Sequence, residues 1–186
     1  MEQEILKSLE VLKNDEVLLY PTDTVWGLGC DATSNAAVEK IYKIKQRSES
    51  KSLIILVAHP EMLQTYIQNI PDSVLEVLQT VAKPTSIIYK KPVGLAKNVV
   101  ASDNTVAIRI PDNAFCKELI HRFGKPIVST SANISGNPTP QSFKEIRPAI
   151  LESVDYVVNL QREERNEKSS TILKVEDNGE IVVLRA

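Results

Sequence analysis

The sequence contains little of what disulfide-rich, metal-binding or membrane-spanning proteins are built from. Its two cysteines, Cys30 and Cys116, show no Cys-x-x-Cys spacing. We interpret both thiols as packing groups in a reducing compartment, without a disulfide framework. No apolar run approaches the roughly 18 residues of a membrane-spanning helix, and the acidic first four residues do not match a signal peptide. We therefore expect a cytoplasmic protein, and its 186 residues suit one domain, residues 1–186.

The sequence also lacks the basic excess of proteins whose whole surface binds nucleic acid. Lys and Arg total 22 against 24 Asp and Glu, a formal net charge of −2, although a local basic pocket remains compatible with this balance. The Gly-x-Ser-x-Gly nucleophile motif, the phosphate-binding P-loop and any zinc-type ligand spacing are absent. A reaction here would rely on positioning and charge neutralisation, and not on a covalent nucleophile.

Apolar periodicity predicts an α/β fold with a mixed sheet. Helices are predicted over 5–12, 35–46, 60–70, 71–82, 113–123 and 143–151. Strands are predicted over 17–20, 53–57, 86–89, 105–110, 126–128, 156–158, 171–175 and 181–184. A hairpin turn at 177–179 joins the last two strands. The irregular alternation of helices and strands favours a mixed sheet over a doubly wound parallel one.

Two hydroxyl-rich loops follow short apolar runs, one at 21–24 and one at 129–133. Hydroxyls and backbone N–H groups of such loops can hold a phosphate or a carboxylate. The second loop could equally be a solvated turn that caps a helix after Pro140. Trp26, the only tryptophan, is typical of core packing. Gly27 and Gly29 are only a fragment of the dinucleotide fingerprint, so we exclude Rossmann binding.

A basic tract, Lys43, Lys45, Arg47 and Lys51, lies at and just past the C-terminal end of the helix predicted over 35–46. Side chains two residues apart diverge on a regular helix, but at its C-terminal end Lys45 and Arg47 could converge on one phosphate. The alternative is a solvated last turn whose cations complement the helix dipole.

Five motifs in order resemble the YrdC/TsaC family, the threonylcarbamoyl-AMP synthases. They are YPTDTVWGLG (20–29), KQR (45–47), TVAIRIP (105–111), SANISG (131–136), and STI (170–172) with LR (184–185). The resemblance implies condensation of L-threonine, bicarbonate and ATP into threonylcarbamoyl-AMP with release of pyrophosphate, for tRNA modification. It also implies a single YrdC-like domain, with a twisted mixed sheet and flanking helices around a basic cavity.

Site residues follow from this resemblance, motif by motif. Threonine would be held by Thr24, Arg109, Ser129 and Thr171. ATP would be held by Lys45, Arg47, Lys51, Thr105, Ser131, Asn133, Thr139 and Arg185, with Lys45 and Arg47 acting in catalysis. Mg²⁺ would ride on the triphosphate, without a metal site on the protein. Further partners would be tRNA or tRNA-modification proteins.

The chain departs from the family pattern at several positions. Ser48 and Ser52 stand where the family often has proline, Leu56 where some members have histidine, and residues 81–86 replace a WPGPxT stretch.

Two other functions are compatible with parts of the sequence. A paralogue acting on another carbamoyl compound would need extra domains that this chain lacks. An RNA-binding module without catalysis would bind with a steep salt dependence.

Overall fold

The computed structural model describes residues 1–47, 53–166 and 169–186. The strands are β1 (Leu18–Tyr20), β2 (Gly27–Gly29), β3 (Ile54–Leu56), β4 (Thr85–Lys90), β5 (Thr105–Arg109), β6 (Ile127–Ser131), β7 (Tyr156–Val157), β8 (Thr171–Val175) and β9 (Ile181–Arg185). The helices are α1 (Glu2–Lys13), α2 (Asn35–Lys45), α3 (Pro60–Tyr66), α4 (Asp72–Thr80), α5 (Ala114–Phe123) and α6 (Pro148–Leu151), with short 3₁₀ turns at Lys97–Val99 and Phe143–Glu145.

Within these ranges the strands form a nine-stranded sheet in the order β7-β1-β2-β6-β3-β5-β4-β8-β9. The pairs β1–β7, β3–β5 and β4–β8 are parallel. The other neighbours are antiparallel, including the closing hairpin of β8 and β9. The predicted mixed α/β sheet is therefore confirmed.

The two faces of the sheet are covered differently. Side chains alternate between the faces along each strand. One face is apolar from β2 to β8 and packs against α2, α3 and α4; it carries Leu28, Val128, Ile55, Ile108, Ile87 and Leu173. The other face is covered by α1 and α5 only around Leu18, Tyr20, Leu56 and Ile127. The rest of that second face stays open above the strands and combines an apolar strip with small and polar side chains.

Helix ends follow local signals in the sequence. The Ser34 side chain accepts a hydrogen bond from the Ala37 amide at the start of α2, and that helix ends at Gln46 in the left-handed conformation. Asn113 caps α5 in the same way, through the Cys116 amide at 3.1 Å, and Gly124 ends it with a φ of 74°. These caps confirm the predicted helices over 35–46 and 113–123 to within a residue or two.

Several boundaries differ from the prediction. Helix α3 ends at Tyr66 and α4 ends at Thr80, short of the predicted 70 and 82. The predicted helix over 143–151 is two pieces, the 3₁₀ turn and α6, because Pro148 has no N–H and keeps its preceding residue out of the helical region. Strand β6 extends to Ser131, so Ser129 to Ser131 belong to a strand and not to the predicted loop.

Strand β2 was not predicted, because glycines are unfavourable in strands. The glycine at position 29 makes room for a side chain from the neighbouring strand β1. Tyr20 crosses β2 and donates a hydrogen bond to the Val128 carbonyl at 3.0 Å. A Cβ on Gly29 would lie 2.5 Å from the Tyr20 ring and 2.7 Å from the Val128 oxygen. Glycine is therefore required at this position for the close approach.

Candidate active site

The open part of the sheet forms the floor of a cavity of about 490 Å³, a volume usual for small-molecule sites. Its floor consists of Ile54, Ala107 and Ile88 on three neighbouring strands. Polar residues surround this apolar strip. Among the residues predicted for the site, Thr24, Arg47, Arg109, Ser129, Ser131, Thr139 and Arg185 line the cavity. The structure thus brings together residues from motifs that are far apart in the sequence.

Other predicted residues lie elsewhere. Lys45, Thr105, Asn133 and Thr171 are not among the lining residues. The Thr105 hydroxyl donates to Asp103 at 2.6 Å, and the Thr171 amide donates to the Pro84 carbonyl at 2.8 Å. Lys51 and the departures Ser48 and Ser52 lie outside the described residues. The ligand roles of these residues stay predictions.

Arg109 lines the cavity and forms an ion pair with Asp23. Only 4% of the Arg109 side chain and 7% of the Asp23 side chain is exposed. The second Asp23 oxygen accepts a hydrogen bond from the Asp112 amide at 3.1 Å. Asp23 was left without a role in the sequence-based prediction; here it fixes the orientation of Arg109 by charge and by hydrogen bonding.

The first hydroxyl loop is held by hydrogen bonds within itself. The Thr22 hydroxyl donates to the Val25 carbonyl at 2.8 Å and accepts from the Thr24 amide at 3.0 Å. The Thr24 hydroxyl lies 2.9 Å from the Thr22 hydroxyl and 3.4 Å from an Arg109 nitrogen. Thr22 already donates to Val25, so Thr24 donates to Thr22 and keeps its lone pairs toward Arg109. Thr22 therefore builds the loop, and Thr24 faces the cavity.

At the opposite end of the cavity, Arg185 is fixed by a backbone carbonyl. Its Nε and Nη2 donate to the Ser170 oxygen at 3.1 and 2.7 Å. Ser170 also lines the cavity, together with Ser169, Thr130 and Gln141. Ser169, Ser170 and Gln141 were not predicted as site residues, whereas Thr130 belongs to the hydroxyl-rich segment predicted at 129–133. Ser170 lies within the quoted STI motif, but the family resemblance pointed to its neighbour Thr171.

Trp26 has two roles in the structure. It is 95% buried in the apolar core, which confirms the predicted packing role. Its ring lies 4.9 Å from that of Phe143, and one edge of the residue also lines the cavity. Trp26 therefore supports the wall between the two hydroxyl-rich segments.

The two basic residues at the end of α2 go to different places. The left-handed Gln46 turns the chain, and the Arg47 amide donates to the Tyr42 carbonyl at 3.1 Å. Arg47 then lines the cavity, and burial lowers the pKa of its guanidinium. The Lys45 side chain instead reaches the segment that follows β6 and donates hydrogen bonds to Ser131 and Asn133. The structure gives the two side chains different contacts, and their convergence on one phosphate, one of the two alternatives for this tract, stays a prediction.

Lys45 is 2% exposed and its ammonium is fully occupied. It donates to the Ser131 carbonyl at 2.6 Å, to the Asn133 carbonyl at 2.8 Å and to the Asn133 Oδ1 at 3.2 Å. Burial, and then the neighbouring charge of Arg47, lower the Lys45 pKa to about 8. The ammonium form still predominates at neutral pH.

Metal-binding clusters and membrane-spanning helices are both absent from the described residues. Among residues 1–47, 53–166 and 169–186, no group of three or more His, Cys, Asp or Glu side chains is placed to hold a metal ion. None of the helices in these ranges combines the length and apolar character needed to cross a membrane.

Residues 10–186 match the model of the Sua5/YciO/YrdC domain, which carries the description telomere recombination. The chain belongs to this family. Within the family it is 34% identical to the threonylcarbamoyl-AMP synthase of Enterobacter sp. over 76% of each chain. It is 35% identical to the putative threonylcarbamoyl-AMP synthase of Methanocaldococcus jannaschii, over 95% of this chain and 84% of that one.

Solved structures of family members share the fold. Sua5 of P. abyssi, determined in complex with L-threonine, superposes with a TM-score of 0.87 at 26% identity over 100% of this chain. This chain spans about half, 54%, of that Sua5 chain. YciO of E. coli superposes with a TM-score of 0.85 at 22% identity, covering 100% of this chain and 89% of its own; at that identity the likeness concerns the fold alone.

Proposed function

We propose that this chain is a threonylcarbamoyl-AMP synthase, which condenses L-threonine, bicarbonate and ATP into threonylcarbamoyl-AMP, pyrophosphate and water. One observation carries the proposal: a single cavity contains three of the four residues predicted for threonine and four of the eight predicted for ATP. The names of the sequence relatives support the same activity.

The Arg109 end of the cavity suits threonine. The guanidinium is the natural partner of the amino-acid carboxylate. Thr24 and Ser129 add hydroxyls beside it. Asp23 balances the Arg109 charge, so Arg109 is not a buried unpaired cation before threonine binds.

The remaining polar walls suit ATP. Arg47 and Arg185 supply fixed positive charges, and Ser131 and Thr139 supply hydroxyls. Mg²⁺ would be carried by the triphosphate, because both oxygens of the nearby Asp23 carboxylate are already hydrogen-bonded. Lys51, Thr105, Asn133 and Thr171 remain predicted ligands in this proposal.

The chemistry requires alignment and charge neutralisation. The threonine amine attacks the carbon of bicarbonate, and water leaves to give an N-carboxylate. An oxygen of that carboxylate attacks the α-phosphorus, and the bond from this phosphorus to the oxygen bridging the β-phosphorus breaks. Pyrophosphate leaves with the electron pair. Arg47 and Arg185 would offset the charge that develops on the phosphates, and the shared cavity holds the reactants together.

The wider setting also belongs to the proposal. Residues 1–186 would act as one YrdC-like domain in the cytoplasm, and the adenylate product would pass to tRNA or to tRNA-modification proteins. A direct RNA-binding role without catalysis is the competing function. The net charge of −2 does not favour it.

The deciding experiment measures pyrophosphate release from ATP by the purified protein with Mg²⁺ and bicarbonate. We expect release only when L-threonine is present, and little release with serine or glycine. Folded protein that shows no threonine-dependent turnover, yet binds tRNA with a steep salt dependence, would favour the RNA-binding module.

Replacing Arg47 by alanine should weaken the use of ATP. A charge-assisted hydrogen bond to phosphate contributes enough that we expect the KM for ATP to rise roughly tenfold to hundredfold. Threonine affinity should change less than about twofold, because this variant leaves the proposed threonine residues Thr24, Arg109 and Ser129 intact. The matched control is Lys43→Ala, which removes an exposed cation of the same helix end, paired with Glu39. Equal kinetics for the two variants would contradict the Arg47 role.

A further inference from the structure

Lys45 is a buried cation that has no role in the reaction steps described above. Its Nζ lies behind the cavity wall, 2.6 Å from the carbonyl of the lining residue Ser131. Its three hydrogen-bond acceptors all belong to Ser131 and Asn133. An ammonium has three donors, so no donor is left for a nucleotide.

The same lysine also joins α2 to the segment 131–137 through its backbone. The Ser135 amide donates to the Lys45 carbonyl at 2.9 Å. Asn133 completes the connection: its Oδ1 accepts from the Ser131 hydroxyl, and its Nδ2 donates to the Asn137 carbonyl, both at 2.6 Å. Removing the ammonium would therefore loosen several contacts of one segment at the same time.

We propose that Lys45 is a positioning residue, which holds segment 131–137 in the shape that presents Ser131 and Thr139 to the nucleotide phosphates without itself contacting the nucleotide. This inference rests on the proposed function. It replaces the predicted direct contact between Lys45 and ATP by an indirect one. Arg47, which reaches the cavity, remains the phosphate partner from the KQR motif.

The charge of Lys45 adds to this effect. Its acceptors in the described chain are two carbonyl oxygens and one amide oxygen, all of them neutral. Lys45 makes none of the ion pairs in the described residues. Its positive charge is therefore uncompensated next to Ser131, where a polyphosphate in the cavity would act as the counter-ion.

The first test needs no nucleotide. Hydrogen exchange of residues 131–140 is measured in the free wild-type protein, in Lys45→Met and in the control Lys43→Met. Methionine preserves much of the side-chain volume but removes the ammonium. We expect roughly tenfold faster exchange of this segment in Lys45→Met and no change in Lys43→Met. Unchanged exchange in Lys45→Met would overturn the positioning role, whether or not the protein is a synthase.

The second test is a double-mutant cycle with a non-hydrolysable ATP analogue. Lys45→Met and Asn133→Ala are each expected to weaken analogue binding roughly tenfold, and the double variant no more than about twice as much as either one. Multiplicative losses would instead indicate an independent phosphate contact by Lys45. Threonine affinity serves as the internal reference and should change less than analogue affinity.

If Lys45→Met does not fold, Lys45→Arg provides the test. Lys45→Arg keeps the charge, but its planar fork cannot reproduce three bonds that converge on one nitrogen. Under the proposal it should give fast exchange and weak analogue binding like methionine; analogue binding at the wild-type level would refute positioning. If the wild-type protein binds no ATP analogue at all, the proposed function fails, while the exchange test still decides whether Lys45 holds the segment.

Discussion

Replacing Arg109 by alanine is expected to remove threonine binding and threonine-dependent turnover. The guanidinium lies on β5 with 4% of its side chain exposed, and the other cavity cations, Arg47 and Arg185, come from different walls. Truncating one member of a buried, hydrogen-bonded charge pair should lower threonine affinity by roughly a hundredfold or more. Calorimetric titration with L-threonine measures the loss. The affinity for an ATP analogue should fall less than about threefold.

The control for this prediction must address Asp23. Arg109→Ala leaves the Asp23 carboxylate buried without its partner, which costs about 3–5 kcal/mol of folding free energy. The double variant Asp23→Ala/Arg109→Ala removes both charges and should unfold at a higher denaturant concentration than Arg109→Ala alone. It should nevertheless fail to bind threonine. A folded double variant with wild-type threonine affinity would exclude Arg109 from the binding site.

The parts of the fold that are encoded by neighbouring residues could be predicted. The cap residues Ser34, Asn113 and Gly124 act on amides and carbonyls within the adjacent helix turn, so their effect is visible in the sequence. The apolar runs that became β1, β3 and β5 are equally local signals. Element boundaries differed at Pro148, which divides the helix predicted over 143–151, and at the ends of α3 and α4, where Ile67 and Val81 are extended.

The parts that depend on distant residues could not be predicted. Asp23 and Arg109 are 86 positions apart, and Lys45 finds its acceptors in a segment that is also 86 to 88 positions away. No periodicity connects such residues. The family resemblance selected the chemistry-bearing positions, but it could not distinguish a side chain that lines the cavity, such as Arg47, from one that supports it from behind, such as Lys45.

Different parts of the second sheet face form the apolar core under α1 and α5 and the candidate active site. Helices α1 and α5 cover that face only where its side chains are apolar. Beyond Ile127, β6 carries Ser129 and Ser131 on this face, and these hydroxyls give a helix little apolar surface to pack against. The same face of β6 is therefore buried at Ile127 and faces the open cavity at Ser129 and Ser131.

The second large expected effect concerns Gly29 of β2, the strand that lies between β1 and β6 in the sheet. Gly29→Ala should destabilise the fold by about 3 kcal/mol or more, at or beyond the upper end of overpacking costs. The added methyl would lie 2.7 Å from the Val128 carbonyl oxygen, a backbone atom, and 2.5 Å from the Tyr20 ring. Relief requires the Tyr20 side chain to leave its hydrogen bond to β6 or the two strands to separate. Urea unfolding measures the loss.

Gly27→Ala is the matched control, two residues away on the same strand and the same sheet face. Its methyl would meet the Ser129 hydroxyl at 3.3 Å and no backbone atom closer than 3.6 Å. We expect a cost below about 1 kcal/mol, because a small shift of the serine relieves the contact. The methyl would enter the cavity beside Ser129, so this variant should lose threonine affinity while remaining folded. Equal stability of Gly29→Ala and Gly27→Ala would show that the Tyr20 crossing does not determine the packing of β2.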